Sequence, residues 1–205
     1  MISVEWNNLG KRFGLKWVFR NLDGNIPAGS HIVVRGSNGS GKSTFGKLLV
    51  GATEATDGEL RWLDSGKEIE IDDIPQHIAW SAPFMEVPED MTIVEVLDFH
   101  STFRKSWSKG YLPELLASSG LENHSNAQIS TLSSGQKQRL RLILAMGTEA
   151  ALVVLDEPCS NLDSSGIHWY GEELKKLVSK TTVVVCSNNR PEEHLEGASE
   201  ILLGA

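Results

Sequence analysis

A glycine-rich segment at residues 36–43 carries the residue types that hold phosphate. Its sequence, Gly-Ser-Asn-Gly-Ser-Gly-Lys-Ser, matches the pattern G-x-x-x-x-G-K-[ST] without a mismatch. Glycines let the backbone fold its N–H groups around phosphate oxygens where a Cβ would clash. The lysine supplies a mobile cation for the β- and γ-phosphates, and the hydroxyl after it can ligate Mg²⁺. The segment therefore predicts a nucleotide site.

The surroundings of this loop agree with that interpretation. An apolar run at 31–35 predicts a strand before the loop, and apolar residues at helical spacing follow it. The motif requires this order, which disfavours the alternative of a glycine- and serine-rich surface loop that matches by chance. The predicted nucleotide-binding residues are Gly36, Ser37, Asn38, Gly39, Ser40, Gly41, Lys42, Ser43 and Thr44.

Two carboxylates follow a second apolar run. The segment 152–157 reads Leu-Val-Val-Leu-Asp-Glu, which places Asp156 and Glu157 at the C-terminal end of a predicted strand, where parallel sheets bind ligands. Asp156 is predicted to hold Mg²⁺ with Ser43, and Glu157 to polarise an attacking water. The alternative is a strand that ends in solvated charges, and the phosphate loop upstream argues against it.

Strands and helices alternate along the chain. The apolar runs that predict strands lie at 31–35, 58–62, 78–80, 152–155, 182–186 and 200–203. Helical spacing occurs at 45–49, 94–97, 112–117, 140–144 and 167–178. Asp57-Gly58 predicts a turn, and Glu172 with Lys176 a surface i,i+4 pair. This alternation predicts an α/β fold with a largely parallel sheet covered on both faces.

The composition is that of a globular domain. The 205 residues suffice for one domain with a continuous core, and 40% hydrophobic with 22% charged residues is ordinary for such a protein. No stretch approaches the roughly 20 apolar residues of a membrane span, and the first residues lack the features of a signal peptide. We therefore expect a cytoplasmic protein.

Charge and cysteine content exclude two further classes. The net charge of −8 argues against a nucleic-acid partner, which usually meets a basic face. Cys159 and Cys186 have neither metal-site spacing nor a disulfide framework, and each lies at the end of an apolar run. They are predicted to be small buried thiols in a reducing compartment.

A third motif identifies a family resemblance. Residues 132–136 read Leu-Ser-Ser-Gly-Gln and are followed by Lys-Gln-Arg and then the acidic strand. This run resembles the LSGGQ signature of the ATP-binding cassette (ABC) family, with Ser134 in place of its first glycine. The resemblance implies a helix N-terminus at which Ser133, Ser134, Gly135 and Gln136 grip the γ-phosphate of ATP held by a partner subunit.

The resemblance covers nearly the whole chain, from about residue 2 to 203. Ser160-Asn-Leu-Asp163 resembles the D-loop that crosses the family's dimer interface, with Asp163 at its acidic position. Phe13 sits where the family keeps an aromatic ring that stacks on adenine; Trp17 is an alternative for that ring, and a core role is the alternative for both. Implied are a RecA-like core with an N-terminal antiparallel β portion (1–83 and 136–205) and a helical subdomain (84–135).

The same resemblance implies a mechanism. Two cassettes close head to tail, as a homodimer or with a second ABC subunit, and each ATP lies between the phosphate loop of one and the signature of the other. Ser43 and Asp156 hold Mg²⁺, and Glu157 activates water. Closure and reopening drive a membrane partner, which has to be a separate transmembrane permease.

Two positions depart from the family pattern. Counting back from the segment 91–94 puts Pro83 where the family keeps a glutamine that contacts Mg²⁺; Gln76 is an alternative, but it lies before the strand. Asn188 stands where the family has a histidine at the γ-phosphate, and His194 is expected to be a surface side chain. The amide of Asn188 can donate to phosphate but cannot take a charge. We therefore expect secure ATP binding with slow or partner-dependent hydrolysis.

Three functions remain open at the level of sequence. The first is the ATPase subunit of an ABC transporter, of the compact type found in exporters. The second is a nucleotide-binding switch or assembly module whose hydrolysis has decayed, which the Pro83 and Asn188 departures motivate. The third is an ABC ATPase in DNA repair or translation, although the long coiled-coil insertion or the second cassette of such chains is missing from this sequence.

Overall fold

The computed structural model describes residues 1–188 and 190–204. The strands within these ranges are β1 (Ile2–Phe13), β2 (Lys16–Ile26), β3 (His31–Arg35), β4 (Asp57–Asp64), β5 (Lys67–Ile69), β6 (Ile78–Ser81), β7 (Leu152–Asp156), β8 (Thr182–Ser187) and β9 (Ser199–Leu202). The α-helices are α1 (Lys42–Leu49), α2 (Ile74–His77), α3 (Ile93–Phe103), α4 (Tyr111–Ser118), α5 (Ser134–Gly147) and α6 (Ser164–Val178).

A five-stranded parallel sheet in the order β6-β7-β8-β3-β9 forms the centre of the molecule. Its middle strands are rich in valine and isoleucine, whose branched side chains suit strands that are buried on both faces. Leu155 pairs with Val185 of β8 and Ser81 of β6, so the carboxyl ends of β6, β7 and β8 lie at one edge. The predicted parallel sheet is confirmed.

A second sheet is antiparallel, in the order β2-β1-β4-β5. It confirms the predicted N-terminal antiparallel β portion. The turn predicted at Asp57-Gly58 is wrong, because both residues open β4. Gly58 has a φ of 76° and lies at the register shift between Asn7 and Gly10 of β1, so its glycine serves a bulge and not a turn.

Two cores lie on opposite faces of the parallel sheet. One face packs against α3, α4, α5 and α6, and its sheet residues include Val153, Leu155 and Val183. The other face packs against α1 and the antiparallel sheet, through residues such as Val154 and Phe45. The loop between β3 and α1 therefore emerges between the two sheets.

The segment between β6 and α5 contains α3 and α4. Helix α3 begins at a capping box, in which the Thr92 hydroxyl and the Glu95 side chain accept each other's backbone N–H groups. These helices lie in the range predicted as a helical subdomain. The division at residues 84 and 135 stays a prediction.

Two details of the sequence-based prediction change. The last strand is Ser199–Leu202, one residue earlier than predicted. On α6, Lys175 pairs with Glu172 at 2.6 Å and Lys176 with Glu173 at 2.8 Å. The predicted pair of Glu172 with Lys176 is therefore replaced by two i,i+3 pairs.

Within residues 1–188 and 190–204, no helix combines the length and the apolar character needed to cross a bilayer.

Candidate nucleotide-binding site

The glycine-rich loop connects β3 to α1, and its glycines answer to different constraints. A Cβ on Gly36 would collide with the Ser40 hydroxyl, and one on Gly41 would come within 2.5 Å of Val18. Gly39 has open space around its Cβ position, but its φ is 82°, and that of Gly41 is 102°. Close packing within the chain therefore requires glycine at positions 36 and 41. The left-handed backbone requires it at positions 39 and 41.

Lys42, at the start of α1, is 5% exposed. Its Nζ donates to the carbonyl oxygens of Gly36 at 2.8 Å and Ser37 at 3.0 Å. The Lys42 ammonium thus lies across the phosphate loop, whose bound phosphates it is predicted to contact. The buried Ser40 hydroxyl has no hydrogen-bond partner within the described residues. The Lys42 ammonium and the Ser40 hydroxyl are thus shielded from bulk water, and both can donate hydrogen bonds to a bound anion.

Asp156 ends β7 and is 2% exposed. Burial raises the pKa of its carboxyl, the neighbouring Ser43 hydroxyl lowers it, and the charge of Glu157 raises it further. Its Oδ1 finds no hydrogen-bond partner among the residues that the structure describes. A buried carboxylate oxygen without a partner, beside a hydroxyl, is a donor set that fits a hard divalent cation such as Mg²⁺.

Glu157 occupies the next position with an unusual backbone. Its φ is 45°, in the left-handed region that side chains other than glycine rarely adopt. Its Oε1 accepts from the Asn188 amide, and its Oε2 accepts from the Ser160 hydroxyl at 3.2 Å. Asn188, predicted to donate to phosphate, therefore donates to Glu157 in this structure. Sequence reasoning placed Ser160 in the run that resembles the D-loop but missed its contact with Glu157, for which the spacing of three residues is a signal.

A cavity of about 650 Å³ brings most of these groups together. Its lining includes Phe13, Lys16, Trp17, Val18, Asn38, Gly39, Gly41, Lys42, Ser43, Thr44, Glu157 and Asn188. The phosphate loop, the candidate base and the candidate aromatic rings therefore share one space, although Phe13 and Glu157 lie 144 residues apart in the chain.

Both predicted aromatic rings line this cavity, with different neighbours. Phe13 is 56% exposed, so a core role for it is wrong. Its ring carries the Lys11 ammonium at 5.1 Å. The Trp17 ring lies against two guanidinium groups, Arg20 at 4.3 Å and Arg12 at 5.2 Å. Phe13 is thus the more accessible of the two for stacking on a base.

The four signature residues lie at the N-terminus of α5, outside this cavity. The Gln136 N–H donates to the Ser133 hydroxyl at 3.2 Å, and the Ser133 N–H donates to the Gln136 side chain at 2.9 Å. Ser134 is the first helical residue and has no positive φ, so a side chain is tolerated there. A Cβ on Gly135 would approach the Asn161 carbonyl oxygen within 2.6 Å. Contact with a partner's nucleotide stays a prediction.

Asp163 has a structural task within the chain. It is the N-cap of α6 and accepts from the Gly166 N–H at 2.8 Å, the Ser165 hydroxyl at 3.0 Å and the Arg139 guanidinium. The Gly166 N–H makes the largest contribution to lowering the pKa of this carboxyl. Its predicted place at a dimer interface stays a prediction.

Comparison with known proteins decides the family. The sequence profile described as "ABC transporter" matches residues 19–160, well over half of the chain. The chain belongs to the ABC transporter family. This confirms the resemblance drawn from the phosphate loop, the signature and the acidic strand.

Its relatives are ATP-binding proteins of this family. Nod factor export ATP-binding protein I from Rhizobium johnstonii is 28% identical over 195 residues, which covers 94% of this chain and 63% of the relative. The protein of the same name from Burkholderia lata is 30% identical, over 93% of this chain and 64% of the relative. Zinc import ATP-binding protein ZnuC from a Chelativorans species is 31% identical, over 80% and 54%. The ABC chain thus spans between about half and two thirds of the relatives' length.

Solved structures agree on the fold. A dimeric ATP-binding cassette in a post-hydrolysis state, bound to ADP and Pi, has a TM-score of 0.82 at 23% identity and covers 98% of this chain and 94% of its own. A bacterial Atm1-family ABC exporter with ATP bound has a TM-score of 0.81 at 18% identity, over 98% of this chain and 36% of its own. The predicted fold class, an α/β P-loop NTPase with a RecA-like core and an N-terminal antiparallel β portion, is confirmed.

The positions at which this ABC chain departs from its family are visible in the fold. Pro83 is exposed and follows β6 by two residues, and its side chain has no atom that could ligate Mg²⁺. Gln76 lies in α2, before β6, and faces Asp73, with 3.4 Å between Nε2 and Oδ1. Because it precedes β6 and does not follow it, the alternative at Gln76 is wrong. His194 is half-buried, with its Nε2 2.8 Å from an Arg35 nitrogen, and is less exposed than expected.

Proposed function

We propose that this chain is the ATP-binding and ATP-hydrolysing subunit of an ABC transporter, with slow intrinsic hydrolysis. The cavity that joins the phosphate loop to Glu157 and Asn188 carries the proposal. The family membership, shown by the matched profile, supports it. The relatives are named for export and import, which favours transport over DNA repair or translation.

Nucleotide binding follows from the loop. Lys42 releases the carbonyl oxygens of Gly36 and Ser37 and turns to the β- and γ-phosphates, while loop N–H groups and the N-terminus of α1 face the same oxygens. Phe13, or Trp17 in its place, stacks on the base. Ser43 and Asp156 would hold Mg²⁺, which neutralises charge on the phosphates when it is bound.

The contacts of Glu157 compete with its role in hydrolysis. Each of its carboxylate oxygens already accepts one hydrogen bond within the chain, which leaves fewer acceptor sites to orient a water. Rotation of the Asn188 amide towards the γ-phosphate would free Oε1, which could then accept the proton of the attacking water. Asn188 is neutral in every state, so it adds no charge to the transition state. Slow turnover follows from these two properties.

The signature residues lie away from the nucleotide cavity of their own chain. Ser133 and Ser134 are exposed and lie outside the cavity. We propose that they complete the nucleotide site of a second copy, or of a second ABC subunit, in a head-to-tail dimer. Closure of this dimer would drive a separate transmembrane permease, which the dimer contacts at the cytoplasmic face of the membrane.

A second candidate function is a nucleotide-dependent switch without turnover. The hydrogen bonds from Asn188 and Ser160 to the Glu157 carboxylate favour the switch. Pro83 at the glutamine position also favours it. Single-turnover hydrolysis separates the two functions. The chain, at a concentration that permits dimers, would be mixed with Mg²⁺ and γ-labelled ATP. We expect slow phosphate release that Glu157→Gln abolishes; tight binding without release in either protein would favour the switch, and no ATP binding would refute both.

A further inference from the structure

The strained backbone of Glu157 needs support from its surroundings. A non-glycine residue in the left-handed region persists only where neighbouring contacts hold it. The Glu157 N–H donates to the Cys186 carbonyl at 2.9 Å, and the Ser160 N–H donates to the Glu157 carbonyl at 3.0 Å. Both are local or come from the adjacent strand. A third contact, one residue further on, comes from the signature helix α5.

That contact is made by Gln138, which is fully buried. Its Nε2 donates to the Pro158 carbonyl at 3.0 Å, directly after Glu157. Its Oε1 accepts from Arg141 twice, at 3.1 Å from Nε and 2.7 Å from Nη2. A guanidinium can only donate, so Arg141 fixes which end of the Gln138 amide faces Pro158.

Arg141 also reaches the loop that follows β6. Its Nη1 donates to the Met85 carbonyl at 3.2 Å, two residues after Pro83. One turn earlier on α5, Lys137 forms an ion pair with Glu89 at 2.5 Å. The segment 82–91, named here the β6–α3 loop, is thus held by α5 at two points. Only the Met85 contact continues to Gln138.

The chemistry of Arg141 favours a directional role. In the described part of the chain no carboxylate lies within ion-pair distance of it, and its hydrogen bonds go to neutral oxygens. Burial lowers the pKa of its guanidinium. A half-buried cation satisfied only by aimed hydrogen bonds is sensitive to the position of each acceptor.

We propose that Met85, Arg141, Gln138 and Pro158 form a positioning relay that transmits the position of the β6–α3 loop to Glu157. This inference rests on the proposed function, because it concerns the proposed base. In this chain Pro83 places no ligating side chain at the loop position where the family pattern has a glutamine. The relay reaches the residues that follow β7, beside Glu157, through α5 and without contacting nucleotide. Arg141 and Gln138 are therefore positioning residues and not catalytic ones.

Hydrogen exchange of the nucleotide-free chain tests the relay without requiring activity. We expect Arg141→Met to speed exchange of the amides of Glu157 and Ser160 about tenfold, because the Gln138 amide loses its orientation. Lys137→Met is the matched control, since it frees the same loop from the same helix but spares Gln138; its effect on these amides should stay below about twofold. Equal exchange at these amides in both variants would overturn the relay.

Kinetics then tests its bearing on hydrolysis. For Arg141→Met we expect single-turnover hydrolysis to fall about tenfold while the Kd for ATP stays within about twofold, with partial recovery in Arg141→Lys. Gln138→Leu combined with Arg141→Met should be no slower than the worse single variant, because both break one chain of contacts. Additive losses, or equal losses of rate and ATP affinity, would contradict the proposal.

The two proposals fail in different ways. A wild-type chain that binds no ATP would end the proposed function while the exchange experiment still judges the relay. If Arg141→Met does not fold, Arg141→Lys in the exchange experiment decides instead. A wild-type chain that hydrolyses ATP, with no change in exchange in either Arg141 variant, would retain the function and remove the relay.

Discussion

The two ends of the candidate site differ in how many of their polar atoms already have partners. Around the phosphate loop, Ser40 Oγ, Asp156 Oδ1 and Asn188 Oδ1 are buried without hydrogen-bond partners within the described residues. At the signature, Ser133 and Gln136 accept each other's N–H groups in a capping box. One end is incomplete without a ligand, whereas the other is stable and exposed by itself.

This difference indicates how the work is divided. Buried polar atoms without partners are costly. A phosphate can accept from the Ser40 hydroxyl and Mg²⁺ would meet the Asp156 oxygen, so Mg²⁺ with ATP recovers part of that cost on binding. The phosphate-loop end is therefore expected to dominate ATP affinity. The signature end has little to gain from a single nucleotide in its own chain, and so it is expected to affect turnover in a dimer. Changes at the two ends should separate these quantities.

The largest effect is expected from Glu157→Gln. The amide keeps the shape of the side chain but cannot take a proton, so hydrolysis should fall about a hundredfold or more while the Kd for ATP changes little. Single-turnover phosphate release and equilibrium titration measure the two quantities. Glu149→Gln, at an exposed carboxylate outside the cavity, is the control. Residual hydrolysis near the wild-type rate would remove Glu157 from its proposed role.

Lys42→Ala should weaken ATP binding more than any change at the signature. It removes a buried cation that can make charge-assisted hydrogen bonds to phosphate, for which we expect a 10- to 100-fold rise in Kd, or about 1.5–3 kcal/mol. Titration with a fluorescent ATP analogue measures it, with Lys67→Ala on β5 as the control. An unchanged Kd would invert the proposed division between the two ends.

Ser133→Ala should slow hydrolysis about tenfold without weakening ATP binding to the isolated chain. Mixing it with Glu157→Gln makes the test sharper. In a head-to-tail mixed dimer, one site combines an intact Glu157 with an intact Ser133, so two impaired proteins should regain about a quarter of the wild-type rate. Ser134→Gly serves as the neutral change. A mixture that is no faster than its components would argue against the shared site.

The smallest expected effect is a gain in stability from Asp156→Asn. Burial holds the pKa of the wild-type carboxyl above its usual value, so folding disfavours the ionised form. The variant should therefore be more stable without Mg²⁺ by about 1 kcal/mol, or about 3 °C in Tm, at neutral pH. The gain should vanish as the pH falls below the pKa of the aspartate, where the wild-type carboxyl is also neutral. Calorimetry at several pH values measures it; a loss of stability at neutral pH would contradict it.

The sequence predicted the parts of the site that are contiguous in the chain. The glycine loop, the acidic pair and the signature are short runs in which residue type and spacing follow from local geometry. The parallel sheet could also be predicted, because its buried strands are apolar throughout. The turn predicted at Asp57-Gly58 failed because a bulge uses the same residues as a turn.

Contacts between segments that are distant in the chain could not be predicted from sequence patterns. Asn188 donates to Glu157 across 31 residues, and Arg141 to Met85 across 56. Neither pair follows from helical or strand periodicity, since the first depends on how the ends of β7 and β8 meet and the second on how α5 meets the loop after β6. The left-handed backbone of Glu157 has no sequence signal either, because glutamate rarely adopts it.

The two cysteines give this molecule a built-in reporter of local opening. Cys159 and Cys186 are fully buried, and both lie beside the acidic strand end, Cys159 near Glu192 and Cys186 near Lys42. Burial raises the pKa of Cys159 to about 12 and that of Cys186 well above its usual range, so almost no thiolate forms at neutral pH.

Alkylation of either thiol therefore has to wait until the surrounding structure opens. The rate of labelling counts these openings, and the chain contains no other cysteine to obscure the signal. Labelling with and without ATP would show how far nucleotide closes the region around the end of β7, with no engineered probe.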